Sequence, residues 1–388
     1  MVKPWGTATI GDFLDFKNGL NKGKEFFGYG TPIVNYTDVY KNRGLRKSDI
    51  RGKVCLTPDE IHRFDVRKND VFFTRTSETP DEVGMSSVLL EDIENGVFSG
   101  FVLRGRPKND MFVPEYCKYC FSTKAVRNAI ITGCTYTTRA LTNGKQLSAI
   151  ELPVPPKPEQ KAIAEALSDI DTLIVNLEKL IAKKKAIKQG AMQELLTGKR
   201  RLPGFNRDWQ HFKLNELCHI EMGQSPDSRY YSSSEGIPLV QGNADIENRQ
   251  TIIRFYTKNV TKEASKGDII FTVRAPVGNV AYAMFDCCIG RGVCALQSGS
   301  DFLYHLLVFE QDMWSKFSSG STFDSINSDT LSNTMFFVPA DEKEQVAIAH
   351  ILTDMDKEIT VLQNRLIKTQ SIKFGMVSEL LTGRIRLV

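Results

Sequence analysis

The sequence predicts an α+β chain with pseudo-twofold organisation: two α/β globular blocks, each leading into a long helix, with the two helices pairing as a coiled coil. Three observations carry this expectation: an internal repeat, a heptad seam within the repeat, and a strand pattern that recurs in the blocks. EQKAIAEALSDID begins at Glu159 and EQVAIAHILTDMD at Glu344, an offset of 185 residues. ELLTG recurs at Glu194 and Glu379 with the same offset and no gap. Roughly half the positions across residues 159–202 are identical in the second copy, which marks a true internal repeat. Two copies are too few for a solenoid and fit a pseudo-symmetric molecule instead.

Each copy reads as one helix. Ile163, Leu167, Ile170, Ile174, Leu177 and Ile181 are spaced as the a and d positions of a heptad, matched by Ile348, Leu352, Met355, Ile359, Leu362 and Leu366. Lys184 and Lys188, opposite Thr369 and Lys373, then interrupt the seam, and Ile187 and Ile372 fall off it as a 3.6-residue helix drifts from a 3.5-residue repeat. At ~1.5 Å per residue, about 40 residues make a rod of ~60 Å. One apolar stripe on so long a rod must be buried against a partner, and the other copy is the nearest. Gly190 and Gly375 sit at matching interior positions, where glycine costs about 1 kcal/mol against alanine, so a bend or a close helix approach is expected there.

Length and composition bound the rest. A chain of 388 residues expects two or three domains, and 41% hydrophobic with 25% charged residues is ordinary for a globular protein. Fifty Lys and Arg against 46 Asp and Glu leave +4, which permits an anionic partner without requiring one. The N-terminus lacks an apolar export core, and no run of about 18 apolar residues could span a bilayer, so a cytoplasmic protein with reduced cysteines is expected. Cys117 and Cys120 form a lone CxxC with no second pair. Aligning residues 131–136 (ITGCTY) with 318–323 (SSGSTF) sets these cysteines over Tyr304 and Leu307, so they read as helix core; Cys287, Cys288 and Cys294 are read the same way.

In the first block, residues 5–16 suggest a short strand and turn before a Gly/Lys-rich loop at 17–24. GTPIVNYTD (30–38) reads as a strand, KNDVFFTR (68–75) as a turn into a buried strand, and 87–90 and 96–103 as further strands. A helix is expected over 114–131. Pro153, Pro155, Pro156 and Pro158 stiffen the entry to the first rod. After the basic linker at 197–204 the second block repeats this skeleton faintly: GIPLVQGN (236–243), KGDIIFTVR (266–274) and FVP (337–339) echo residues from 30, 68 and 153 onward.

Motifs for a catalytic site are missing: no GxxxxGK[ST], no GxGxxG after a strand, no HExxH, no GxSxG, and no Asn-Pro-Pro-aromatic tetrad for work on a flipped base. Asp341 and Glu342 read as favourable charge at a helix N-terminus. Nucleic-acid chemistry is better supplied. Arg75, Thr76 and Arg274 stand at the ends of apolar strands, and Asn35, Thr37, Gln241 and Asn243 are types able to reach base edges. Arg139, Lys22, Lys24, Arg43, Arg46, Lys47, Arg229 and Arg249 are loop cations suited to phosphates.

Two differing blocks, each followed by a helix with ExxAIAxxLxxxD and ending LLTG-x-x-R-L, resemble the specificity subunit of type I restriction-modification systems across the whole chain. The residues that carry the likeness are Glu159, Gln160, Ala162, Ile163, Ala164, Leu167, Asp169, Asp171 and the LLTG of 195–198. The resemblance implies target recognition domains with mixed twisted sheets at residues 1–155 and 199–340, the latter including the linker. It implies an antiparallel coiled coil of spacer helices at 156–198 and 341–388.

It further implies double-stranded DNA, two modification (methyltransferase) subunits and restriction subunits as partners. S-adenosylmethionine, ATP and magnesium then belong to those partners, with no cofactor, metal or catalytic residue in this chain and no membrane association. Each block would read one half of a bipartite, asymmetric target, and rod length would set the spacer. The alternatives are a stand-alone DNA nuclease or methyltransferase with an unrecognised site, and an adaptor whose blocks bind proteins.

Overall fold

Side-chain alternation organises the first globular block. Along the strand Val71–Thr74, Val71 and Phe73 enter a core with Ile10, Phe13 and Phe121, while Phe72 faces the opposite way among Val34, Leu89 and Phe98. Both faces of this strand are therefore covered, which is why all four of its residues are buried. Its sheet runs Leu14–Asn18, Val102–Pro107, Val71–Thr74, Ser86–Leu89, Gly44–Leu45, antiparallel except for the last pair. The computed structural model describes residues 4–298, 300–314 and 325–387, so the 318–323 stretch aligned with 131–136 lies outside the described residues.

The second block repeats the arrangement. Ile269 and Phe271 enter one core, Ile270 another, and the sheet begins His219–Met222, Val293–Gln297, Ile269–Thr272, Val280–Tyr282. These four strands follow the order of the first four in the other block, and a parallel bridge at Gln250 again makes the sheet mixed. The chain is thus α+β, with two α/β blocks of related topology.

Three expected elements take a different form. The strand foreseen at 30–38 spans Phe27–Val34 and gives way to a helix at Tyr36–Lys41, because the Asp38 carboxylate accepts from the Asn35 amide and starts a turn. The strand at 96–103 is split by a turn into Val97–Phe98 and Val102–Pro107. The helix at 114–131 breaks into Pro114–Cys117, a 3-10 turn at Cys120–Ser122, and Lys124–Gly133. Thr123 causes the restart: its backbone is extended and its hydroxyl accepts from the Val126 amide, capping a new helix. Cys117 and Cys120 are buried, and all eight cysteines are free thiols.

The two long helices span Lys157–Leu195 and Glu342–Leu380. Each ends at a glycine with positive φ, Gly198 at 70° and Gly383 at 71°, where a Cβ would crowd the indole of Trp209 or Trp5. The compact units cut across both helices: one comprises Met1–Glu178 and Arg365–Val388, the other Lys179–Asn364.

Within each unit a segment of one helix lies antiparallel to a segment of the other. In the second unit Lys184 meets Glu358 at 2.6 Å and Lys188 meets Asp356 at 2.5 Å; in the first, Asp171 meets Lys373 at 2.6 Å. Of the seam residues, Ile163, Leu167, Ile170, Leu177, Ile181, Ile348, Leu352 and Ile359 are buried, while Ile174, Met355, Leu362 and Leu366 are half-buried. The seam also serves the globular cores. Ile163 and Leu167 pack with Phe13, Tyr116 and Leu380, and Ile348 and Leu352 pack with Leu195, Phe302 and Leu331. A Cβ at Gly190 or Gly375 would meet nothing within 4 Å beyond its own helix, so neither glycine serves close packing inside the chain.

Each block is also pinned to the start of the helix that follows it, by equivalent contacts. Lys118 Nζ donates to Ser168 Oγ at 3.0 Å, and His305 Nε2 shares a hydrogen bond with Thr353 Oγ1 at 2.9 Å. Asp341 accepts from the Lys343 amide, the helix-start role expected of it.

Candidate nucleic-acid interface

In the first block the strand ending at Thr74 delivers Arg75 and Thr76 to one edge of the sheet. The Arg75 amide donates to the carbonyl of Phe101 at 2.9 Å, and the short strand Thr76–Ser77 pairs antiparallel with Ala140–Leu141. This sets Arg139, next to Ala140, at the end of the short sheet that carries Thr76. Both line a cleft of about 330 Å³ with Tyr36, Ser77, Glu78, Glu82 and Phe101. Two of the expected residues, Thr76 and Arg139, thus line one cleft, and Asn35, Thr37 and Arg75 adjoin its lining residues in sequence.

The floor of that cleft is fixed by hydrogen bonds. Tyr40 donates to Glu82 at 2.8 Å and Ser77 donates to the other oxygen of Glu82 at 3.0 Å. The bond to Glu82 raises the Tyr40 pKa, keeping that hydroxyl a donor. Asn35 Nδ2 is turned to the carbonyl of Ile33 at 3.2 Å. Arg75 reaches the Gly100 carbonyl at 3.4 Å, and its Nε is buried without a partner among the described residues. Phe101 is 56% exposed, so the cleft offers an aromatic face next to the exposed cation of Arg139.

Lys22 and Lys24 lie on a different loop. Lys22 is committed to Glu60 at 2.5 Å and sits 4.8 Å from the Phe26 ring. Lys24 is exposed beside the exposed aromatics Phe26, Phe27 and Tyr29 and makes no ion pair among the described residues.

In the second block Arg274 follows the strand Ile269–Thr272 and is exposed. Gln241 and Asn243 converge on the same end of the sheet: the Tyr231 hydroxyl donates to Gln241 Oε1 at 3.2 Å, and Asn279 donates to Asn243 Oδ1 at 2.5 Å. Asn279 belongs to the turn after Arg274, since its carbonyl accepts from the Thr272 amide at 2.9 Å.

Arg229 is exposed on a separate turn and is held by Asp227 at 2.5 Å. Arg249, read as a phosphate cation, donates through its guanidinium to the Val280 carbonyl and to Gln311.

Sequence reasoning missed two side chains here. The turn before Val293–Gln297 carries the exposed Arg291 between Gly290 and Gly292, and the Val273 amide donates to the Gly292 carbonyl at 3.0 Å. A Cβ on Gly292 would stand 2.2 Å from the Gln241 carbonyl oxygen, so the turn presses against that strand and requires glycine. The turn before Val102–Pro107 is equivalent and presents Phe101. A Gly-Arg-Gly triplet between two apolar runs was the available signal for Arg291; an isolated phenylalanine gave none for Phe101.

A family model described as "Type I restriction modification DNA specificity domain" matches residues 2–189 and 206–369. The putative type I restriction enzyme MjaX specificity subunit of Methanocaldococcus jannaschii is 28% identical over 403 residues, covering 98% of this chain and 94% of that protein. Two solved structures share the fold. The S subunit of a type I restriction-modification system from M. genitalium has 17% identity, a TM-score of 0.63, and covers 97% of this chain and 96% of its own. The HsdS subunit from Thermoanaerobacter tengcongensis has 20% identity, a TM-score of 0.52, and covers 99% and 98%.

Proposed function

The chain belongs to the type I restriction-modification DNA specificity family and carries two copies of its domain, and from that premise we propose how it divides the work of recognition. It is the subunit that selects the DNA sequence for a type I assembly in the cytoplasm. Each block reads one half of a bipartite target, with Arg75, Thr76, Arg139, Asn35 and Thr37 serving the first half-site and Arg274, Gln241 and Asn243 the second. Lys24 and Arg229 serve phosphates.

What supports this reading is the pairing of a shared strand order with unlike side chains at the strand ends. Two similar scaffolds bearing different readers suit an asymmetric target. The helices, 39 residues each, set the unspecified spacer by their length and dock two modification subunits. Methylation of adenine from S-adenosylmethionine belongs to those subunits, and ATP- and magnesium-dependent cleavage to restriction subunits. This chain itself performs no chemistry.

Two experiments test it. The purified chain should bind DNA weakly and neither methylate nor cut it, whereas addition of the modification subunit should produce S-adenosylmethionine-dependent methylation. Methylation by the chain alone would point to an unrecognised active site. Deleting one helical turn from both long helices should shorten the preferred spacer, and an unchanged spacer would defeat the ruler.

A further inference from the structure

Matched backbone pairing fixes which positions of the two blocks correspond. Val34 pairs in parallel with Phe98, as Val240 does with Ile289. The Ser99 amide donates to the Val34 carbonyl at 3.0 Å, and the Gly290 amide to the Val240 carbonyl at 2.8 Å. The Arg75 amide donates to the Phe101 carbonyl where the Val273 amide donates to that of Gly292. Asn35 therefore corresponds to Gln241, Thr76 to Arg274, Gly100 to Arg291, and Phe101 to Gly292.

At these shared places the chemistry differs in kind. The second block presents two exposed guanidinium groups, Arg274 and Arg291, where the first has Thr76 and Gly100. Each turn projects one large side chain, but glycine and reader have changed places. A Cβ on Gly100 would stand 3.0 Å from the Leu20 carbonyl oxygen, so in the first block the reach falls to Phe101. The Val102 amide closes this turn on the Ser99 carbonyl at 3.1 Å, which fixes where the ring emerges. Phe101 lies outside the cores built around Phe72 and Phe73, and its exposure serves neither of them. The cleft it lines sets Arg139 against the carboxylates of Glu78 and Glu82, a poor lining for phosphate and a fitting one for base edges.

We propose that Phe101 is a specificity determinant of the first half-site and that it reads the C5-methyl group of a thymine in the major groove. This rests on the division of half-sites given above and adds the base class at one position. Among the groups on the major-groove edge, the thymine methyl is the one that an apolar ring recognises; the others are hydrogen-bond donors or acceptors. Arginines at the matching places of the second block suit guanine, whose O6 and N7 accept from a guanidinium. The second half-site thus carries guanine where the first carries thymine.

The test uses the full chain assembled with its modification subunit, and duplexes bearing its own target as read from the modified adenines. Each thymine of the first half-site is replaced in turn by deoxyuridine, which removes the methyl and keeps the pairing edge. At one position the methylation efficiency should fall about fourfold, the worth of one buried methyl-sized group. Phe101→Ala should bring thymine and uracil there to equal efficiency, whereas Phe101→Leu should keep the preference. The ring is exposed, so neither variant should shift the melting temperature. No fall at any thymine, a first half-site without thymine, or a preference that survives Phe101→Ala overturns the inference. So does equal loss on both duplexes with Phe101→Leu, the mark of a ring stacked between bases. A preference altered in the second half-site by Phe101→Ala would defeat the assignment of blocks to half-sites, a failure of the proposed function rather than of the methyl contact.

Discussion

Arg386 closes on the fully buried carboxylate of Glu159 through two hydrogen bonds of 2.5 and 2.6 Å, joining the end of the second long helix to the start of the first. Trp5 Nε1 adds a third at 2.9 Å. Arg201 holds Glu344 in the same way, with two bonds of 2.7 Å. Each arginine follows an LLTG turn, so the repeat encodes a helix end that clasps a helix beginning.

The hydrogen bond from Arg386, aided by that from Trp5, holds the Glu159 pKa below the ordinary glutamate value. A depressed carboxylate contributes stability that is fully present above the unfolded value of about 4.3 and is lost as pH falls through the folded value. Glu159→Gln should therefore unfold more easily at neutral pH and lose less on acidification. Calorimetry between pH 7 and pH 3 checks this, and parallel acid limbs for variant and wild type would contradict it.

His305 also costs stability on acidification, but in a higher pH window. Burial first, then Lys188, lowers its pKa to about 4 against the raising influence of Asp356 and Asp301. Below about pH 6.5 the unfolded chain takes up a proton that the folded chain refuses, so stability falls between about pH 6.5 and 4, by roughly 3 kcal/mol at full effect. His305→Asn, which retains a partner for Thr353, should remove that component from the melting profile. An unchanged slope across this window would show that His305 is not its source.

Block-specific readout predicts separable losses. Arg274→Ala or Arg291→Ala should relax base preference only in the second half-site, by roughly 1–3 kcal/mol at the affected position. Arg139→Ala or Thr76→Val should act only on the first. Methylation profiling of a randomised target library reads both at once; loss at both half-sites from Arg274→Ala would count against the assignment.

Salt dependence separates two neighbouring lysines. Lys24 is exposed and free of ion pairs among the described residues, so Lys24→Ala should weaken binding across all sequences and lower the salt slope by about 1. Lys22 is held by Glu60, and Lys22→Ala should leave the slope nearly unchanged. Titration of DNA binding by the assembled complex across salt concentrations decides it.

Much of this architecture is legible in the sequence, for a physical reason. Helix registry is local and periodic, so the seam from Ile163 to Ile181 and its copy are visible as spacing alone. The buried strands at Val71 and Ile269 are visible for the same reason. Thr123 is harder: a threonine inside an apolar run looks like helix interior until its extended backbone makes it a cap. Partners across long separations leave no local trace, which is why the clasp of Glu159 by Arg386 and the commitment of Lys22 and Arg249 to internal bonds escape a reading of the sequence. Turn residues such as Arg291 gain meaning only when the strands beside them are paired.

The central claim is that two unlike readers on one chain define one split target. Sequencing the modified adenines in a host that carries this protein with its modification subunit tests it most directly. The account predicts a single asymmetric motif of two specified halves separated by a fixed run of unspecified base pairs. A continuous motif, or one palindromic about its centre, would contradict it.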